Sequence, residues 1–148
     1  MIKVQAEDFD VGAEFARFTE GNTAIGGVCL FVGLVRDFAG SGQAMTLEHY
    51  PGMTERQLHS IEQEARDRWP LHDVLIIHRH GRLLPGDRIV LVATASAHRE
   101  AAFQSCNFLM DWLKTKAPFW KLEESPSGAA WVEARDTDAA AADRWGKV

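Results

Sequence analysis

Residues 74–95 read V-L-I-I-H-R-H-G-R-L-L-P-G-D-R-I-V-L-V-A-T-A. Two runs inside it, Val74 to Arg79 and Arg88 to Ala95, are dense in β-branched and aliphatic residues and predict strands. Between them, H-G-R-L-L-P-G-D contains a Pro-Gly turn. Two strands therefore follow one another with no helix between them. Downstream, Ser96 or Ala97 begins a long helix reaching about Lys116. Its apolar set is Ala102, Phe103, Cys106, Leu109, Met110 and Leu113, at helical spacing. Pro118 ends it. Phe119 to Glu123 and Ala130 to Ala134 predict a last strand pair around an S-P-S-G turn, and Thr137 or Asp138 can cap a short final helix.

Working upstream, Pro70 closes a helix that places Leu58, Ile61, Ala65 and Trp69 near one face. Thr54 with Gln57 suggests a capping box at its start. Thr46 to Tyr50 is a short strand and Pro51-Gly52 a turn. The segment D-F-A-G-S-G-Q-A, Asp37 to Ala44, reads as a loop. Before it, A-I-G-G-V-C-L-F-V-G-L-V-R is rich in β-formers on both alternating faces and predicts a central strand. Gly26, Gly27 and Gly33 mark a bulge or a close backbone approach. Ile2 to Ala6 predicts a first strand, and Asp8 or Asp10 caps a helix with Val11, Phe15 and Phe18 on one face. The order β-α-β-β-α-β-β-α-β-β-α lacks strict βαβ alternation, so the expected class is α+β with a largely antiparallel sheet.

The 148 residues suit one domain spanning 1–148. The net charge of −5 argues against nonspecific nucleic-acid binding, which rests on many phosphate contacts. Only Cys29 and Cys106 are present, far apart and outside any C-x-x-C pattern. They read as buried free thiols, in keeping with a reducing compartment. The amino terminus lacks the apolar run of a signal peptide, and nothing approaches the roughly 20 apolar residues of a membrane helix. A cytoplasmic protein is expected. Neither G-x-x-x-x-G-K-[ST] nor G-x-S-x-G occurs, which removes the familiar signals for a bound nucleotide or a serine nucleophile.

Within this acidic chain, positive groups recur among apolar residues from His98 to Lys121. His98 and Arg99 fall where a helix begins, and unpaired backbone N–H groups there already attract anions. An imidazole and a guanidinium beside them suit a phosphate or carboxylate, although both could simply face solvent. Lys114 lies near the other end of the same helix. Fifteen residues separate it from Arg99, or roughly 22 Å of helix. The two either serve different sites or are brought together by a two-fold partner. Lys121 alternates with Phe119 and Glu123 on one strand face. It is either desolvated among aromatics or packs its stem on them with its ammonium in water. Arg36 ends a strand beside a loop, a common ligand position. His78 and His80 alternate on one strand and could form half a metal site; no third ligand is spaced to join them, although His49 could do so in three dimensions, and no metal or cofactor is expected.

The ordered series L-E-H-Y-P-G-M-T, H-R-H-G-R-L-L-P-G-D, S-A-H-R-E-A-A-F, D-W-L-K-T-K-A-P-F-W-K and W-V-E-A-R closely resembles the large, catalytic subunit of molybdopterin synthase, over nearly the whole chain. The resemblance implies an α/β hammerhead-type fold with an additional antiparallel β subdomain. It implies sulfur transfer to cyclic pyranopterin monophosphate (precursor Z), forming the dithiolene of molybdopterin. The sulfur would come from a thiocarboxylate on the Gly-Gly tail of a small ubiquitin-like carrier subunit. It also implies a homodimer at the centre of a heterotetramer. Carried over by motif, Lys114 and Lys121 would be catalytic. Arg36, His98 and Arg99 would bind substrate, with the backbone around Leu34 and Val35. Leu122 and Glu123 would line the pocket, and Arg135 would add a further positive group. Relatives often carry a basic residue where this chain has Leu122.

Two other classes fit the residues less fully. One is a docking module that only binds a ubiquitin-like tail. The other is a Schiff-base lysine enzyme acting on a phosphorylated carbonyl compound.

Overall fold

In the computed structural model, residues 1–37, 40, 42–125, 128–132 and 136–146 are described. The elements are β1 (Ile2–Gln5), α1 (Val11–Thr19), β2 (Gly27–Leu34), β3 (Met45–His49), α2 (Met53–Arg68), β4 (Leu71–Arg79), β5 (Gly81–Leu83), β6 (Arg88–Ser96), α3 (Arg99–Thr115), β7 (Phe119–Ser125), β8 (Gly128–Val132) and α4 (Asp136–Asp143). They form two four-stranded sheets, ordered β1-β4-β6-β2 and β5-β3-β7-β8. Only β1 with β4 is parallel, and the other pairs are antiparallel. This is the expected α+β class with a second, antiparallel sheet.

Alternation along β4 builds the first sheet's core. Val74 and Ile76 join Leu58, Ile61, Phe108 and Leu109 of α2 and α3. Leu75 and Ile77 point the other way, to Phe9 and the partly buried Val11 and Phe18 of the α1 side. The sheet is thus covered on both faces, which is why β4 and β6 read as continuous apolar runs. Trp69, Phe108 and Trp145 meet edge-on, with centroids 5.3 to 5.7 Å apart, and close the outer side of α3. Asp111 secures α4 there, accepting hydrogen bonds from Arg144 at 2.6 Å and from the Trp145 indole at 2.6 Å.

Several expectations are corrected. The run 27–34 is an edge strand, not a central one. Phe31 and Leu34 stand 40% and 56% exposed, because no further strand covers their side of the sheet. Its glycines mark close approaches. A Cβ on Gly26 would lie 2.0 Å from the Ala97 carbonyl oxygen, and one on Gly33 would lie 2.8 Å from Val90 Cγ1. The register also shifts between Gly33 and Leu34. The segment 80–87, expected to hold a Pro-Gly turn, has that turn at 85–86 and also contains β5, which pairs with β3. α2 is capped at Gly52, whose N–H donates to Glu55 at 2.6 Å. Thr54 lies inside the helix, and Gln57 has no part in the cap. Phe15 and Phe103, assigned to apolar faces, are exposed. The last strand pair spans Phe119–Ser125 and Gly128–Val132. The expected turn at 126 and 127 and the strand end at 133 and 134 lie outside the described residues.

Candidate active site

The second sheet places the lysine of the final strand pair. Lys121 pairs with Leu47 of β3 and Val132 of β8, and paired residues share a sheet face. Leu47 is buried with Val35, Met45 and Leu83. The stem of Lys121 therefore stands beside an apolar cluster. Its ammonium reaches solvent and pairs with Glu123 at 3.2 Å, with the two side chains 42% and 50% exposed. Of the two readings of this lysine, the exposure takes the one with its ammonium in water, and the stem stands beside an aliphatic cluster. Glu123 shares its face by alternation, while Leu122 points to the opposite face.

The segment Leu34, Val35 and Arg36 leaves β2 beside this sheet. Val35 donates to the Asp87 carbonyl at 2.8 Å and accepts from Gly86 N–H at 2.7 Å. Its side chain enters the same buried cluster as Leu47. Arg36, the next residue, is exposed. The hairpin turn before β6 thus fixes the backbone from which Arg36 projects.

Lys114 reaches the same region from the other direction. It occupies the last turn of α3, and its charge acts on the buried imidazole of His78 at the end of β4. His78 stacks on Phe119 with ring centroids 3.8 Å apart and planes 17° from parallel. Phe119 opens β7, two residues before Lys121. The short link between the lysines is pinned along its length. Ala117 N–H bonds to the Trp112 carbonyl at 3.2 Å, Phe119 N–H bonds to the Ala117 carbonyl at 2.8 Å, and the Thr54 hydroxyl donates to the Pro118 carbonyl at 3.2 Å. Thr54 itself is fully buried, so this anchor is rigid.

Two imidazoles, His78 and His49, face Phe119, and a third, His80, lies against His49. His49 and His80 lie 4.3 Å apart, and His49 is 6.3 Å from Phe119. Burial pushes the His78 pKa down to about 4 against an Nδ1 contact of 2.8 Å to the Arg79 carbonyl. His80 is also lowered, by burial and then by neighbouring His49. Among the described residues no three His, Cys, Asp or Glu side chains are arranged to hold a metal ion. The sequence singled out His78 only as half of a metal site. Its partner Phe119 was visible as an aromatic two positions before a lysine, but nothing in the sequence joined the two.

His98 and Arg99 sit at the far end of α3. His98 is the N-cap and makes no capping hydrogen bond with its side chain. It borders a cleft of about 470 Å³ whose walls include Trp69, His72, Ser96, Glu100 and Gln104. Arg99 begins the helix against β2, where a Cβ on Gly27 would lie 3.5 Å from Arg99 Cα. Because α3 runs unbroken over Arg99–Thr115, these side chains stand roughly 22 Å along the helix from Lys114. The candidate residues thus fall into two groups within one chain. Arg36, Lys114, Lys121 and Glu123 border the second sheet, and His98 and Arg99 lie at the opposite end of α3. Arg135 lies outside the described residues.

Known proteins match this arrangement along its length. A molybdopterin synthase catalytic subunit from Cereibacter sphaeroides is 54% identical over 144 residues, covering 97% of this chain and 99% of its own. The solved molybdopterin biosynthesis MoaE protein of Burkholderia ambifaria is 55% identical, with a TM-score of 0.87, covering 100% of this chain and 99% of its own. A protein–protein complex of subunits 1 and 2 of molybdopterin-converting factor from Helicobacter pylori shares the fold at 20% identity and a TM-score of 0.76, covering 90% of this chain and 91% of its own. The family model described as MoaE protein matches residues 4–116. With relatives this similar over nearly its full length, the chain belongs to the MoaE family of molybdopterin synthase catalytic subunits.

Proposed function

We propose that this protein is the catalytic subunit of a molybdopterin synthase. It moves sulfur from the C-terminal thiocarboxylate of a small ubiquitin-like carrier to cyclic pyranopterin monophosphate. The observation that carries this reading is that the charge of Lys114 of α3 acts on His78, whose ring stacks on Phe119, two residues before Lys121 on β7.

The chemistry follows from the charges. The precursor carries a cyclic phosphate, and the carrier's sulfur is anionic. Arg36, His98 and Arg99 supply the cations that hold the phosphate. Lys114 and Lys121 orient the thiocarboxylate and move protons as sulfur attacks the side-chain carbon of the pterin. The cyclic phosphate ester opens, water releases the carrier's acyl group as a carboxylate, and a second loaded carrier delivers the second sulfur. A glycine tail suits a narrow approach because it carries no side chains. The protein acts as a homodimer, one chain giving the lysine end of α3 and its two-fold mate the His98–Arg99 end. That pairing reconciles the roughly 22 Å between the groups with one small substrate.

The test is reconstitution. This protein, a thiocarboxylated carrier and the precursor are mixed, and molybdopterin is assayed. Lys121→Ala should lower turnover by at least roughly a hundredfold while carrier binding stays within about twofold. Wild-type turnover in that variant would remove Lys121 from the mechanism. No product from the wild-type protein with a verified carrier would overturn the reading itself.

A further inference from the structure

His78 has no part in the chemistry above, yet the charge of Lys114 acts on it and its ring stacks on Phe119, which shares a strand face with Lys121. It is 8% exposed on the last turn of a strand that is otherwise apolar from Val74 to Ile77. A carbonyl oxygen can only accept, so its 2.8 Å contact with Arg79 makes Nδ1 the protonated nitrogen. The ring is then a neutral imidazole with one acceptor, Nε2. Burial keeps it neutral, and the charged or titratable groups acting on it are Lys114 from α3, His49 from β3 and its neighbour His80. One flat face lies against Phe119.

This placement matters because the lysines approach from two elements that do not pair with each other. α3 belongs to the first sheet's core, whereas β7 belongs to the second sheet. The pinned link of residues 116–118 joins them along the backbone, and the His78 ring stacks on Phe119 directly after it. Displacing a reacting group by about 1 Å can cost roughly a hundredfold in rate. A rigid, uncharged surface at this position would fix the lysine spacing without adding a competing charge.

We propose that His78 is a positioning residue for sulfur transfer: its neutral ring, stacked on Phe119, sets how Lys114 and Lys121 face the reacting atoms. The role rests on the synthase reading. The feature required of residue 78 is a flat uncharged ring, which phenylalanine also provides.

The experiment measures sulfur transfer per competent site, counted by precursor bound, for the wild-type protein, His78→Ala and His78→Phe, with full steady-state curves in the precursor. A purely structural defect would reduce the number of sites and the melting temperature but leave the rate per site unchanged. Positioning predicts that His78→Ala loses at least roughly tenfold in kcat per site, with KM within about twofold, and that His78→Phe stays within about threefold of wild type. If His78→Ala does not fold, His78→Leu replaces it, filling the space without an aromatic face. A loss under tenfold, a change carried by KM, or a His78→Phe protein as slow as the alanine variant overturns the proposal. Wild-type turnover in the same assay separates the two questions, since an inactive wild type would defeat the synthase reading and an active one leaves only His78 on trial.

Discussion

A buried imidazole makes folding stability depend on pH. The ordinary His pKa of 6.5 falls to about 4 at His78 in the folded protein. Between those values the unfolded chain binds a proton that the folded chain refuses. The stability associated with His78 is therefore complete above pH 6.5 and falls as pH drops toward 4, by at most roughly 3 kcal/mol. Urea unfolding at pH 7 and pH 4.5 should show this loss, and His78→Phe should flatten much of it. Asp8 acts in a lower window. The Arg88 guanidinium, at 2.7 Å, holds its carboxyl at about 2 against an ordinary 3.8. Its contribution is present above pH 3.8 and disappears as pH falls through 2. Asp8→Asn should remove only the second loss, seen as a flatter stability curve below pH 4.

Among the elements, β2 shows most clearly how tertiary context overrides local pattern. Its residues alternate apolar side chains on both faces, which usually signals a covered strand. Here it lies at a sheet edge; Gly26 and Gly27 serve contact with the start of α3, and Gly33 with Val90 of β6. Gly26→Ala would drive a methyl group into the Ala97 carbonyl, 2.0 Å away. The expected cost is roughly 2 kcal/mol, read as a lower urea midpoint with an unchanged slope. Gly21→Ala meets no atom within 4 Å but has a φ of +75°, so its cost is the backbone strain alone, about 1 kcal/mol. The strands at 74–79 and 88–96 and the helix at 99–115 were legible because each has a long, consistent period. β5 was not, since three residues beside a Pro-Gly turn carry no period. Phe15 and Phe103 were placed on apolar faces because spacing reports which side of a helix a residue occupies, not how far the neighbouring layer extends over it.

For the whole molecule, the proposed function asks how two groups at opposite ends of α3 could serve one substrate. The sequence supplied the helical distance between Arg99 and Lys114, and the unbroken α3 keeps it. It could not show that His78 stacks on Phe119, because that contact joins β4 and β7 across separate sheets. A shared site predicts complementation. Arg99→Ala and Lys114→Ala homodimers should each be nearly inactive. After mixing and subunit exchange, half the dimers are hybrids, and each hybrid has one intact site, so about a quarter of wild-type activity should return. A mixture as inactive as its parents would assign both groups to one chain or to separate roles.

The straight run of α3 also makes it a ruler. One residue inserted between Phe103 and Asp111 would swing Lys114 by about 100° around the axis and advance it by about 1.5 Å. Neither the pinned bend at Pro118 nor the packed ring beneath it has slack to absorb that rotation. If both ends of the rod work on substrate as proposed, length changes among kindred sequences should gather in surface loops and spare it, since its interval would then set the gauge between them.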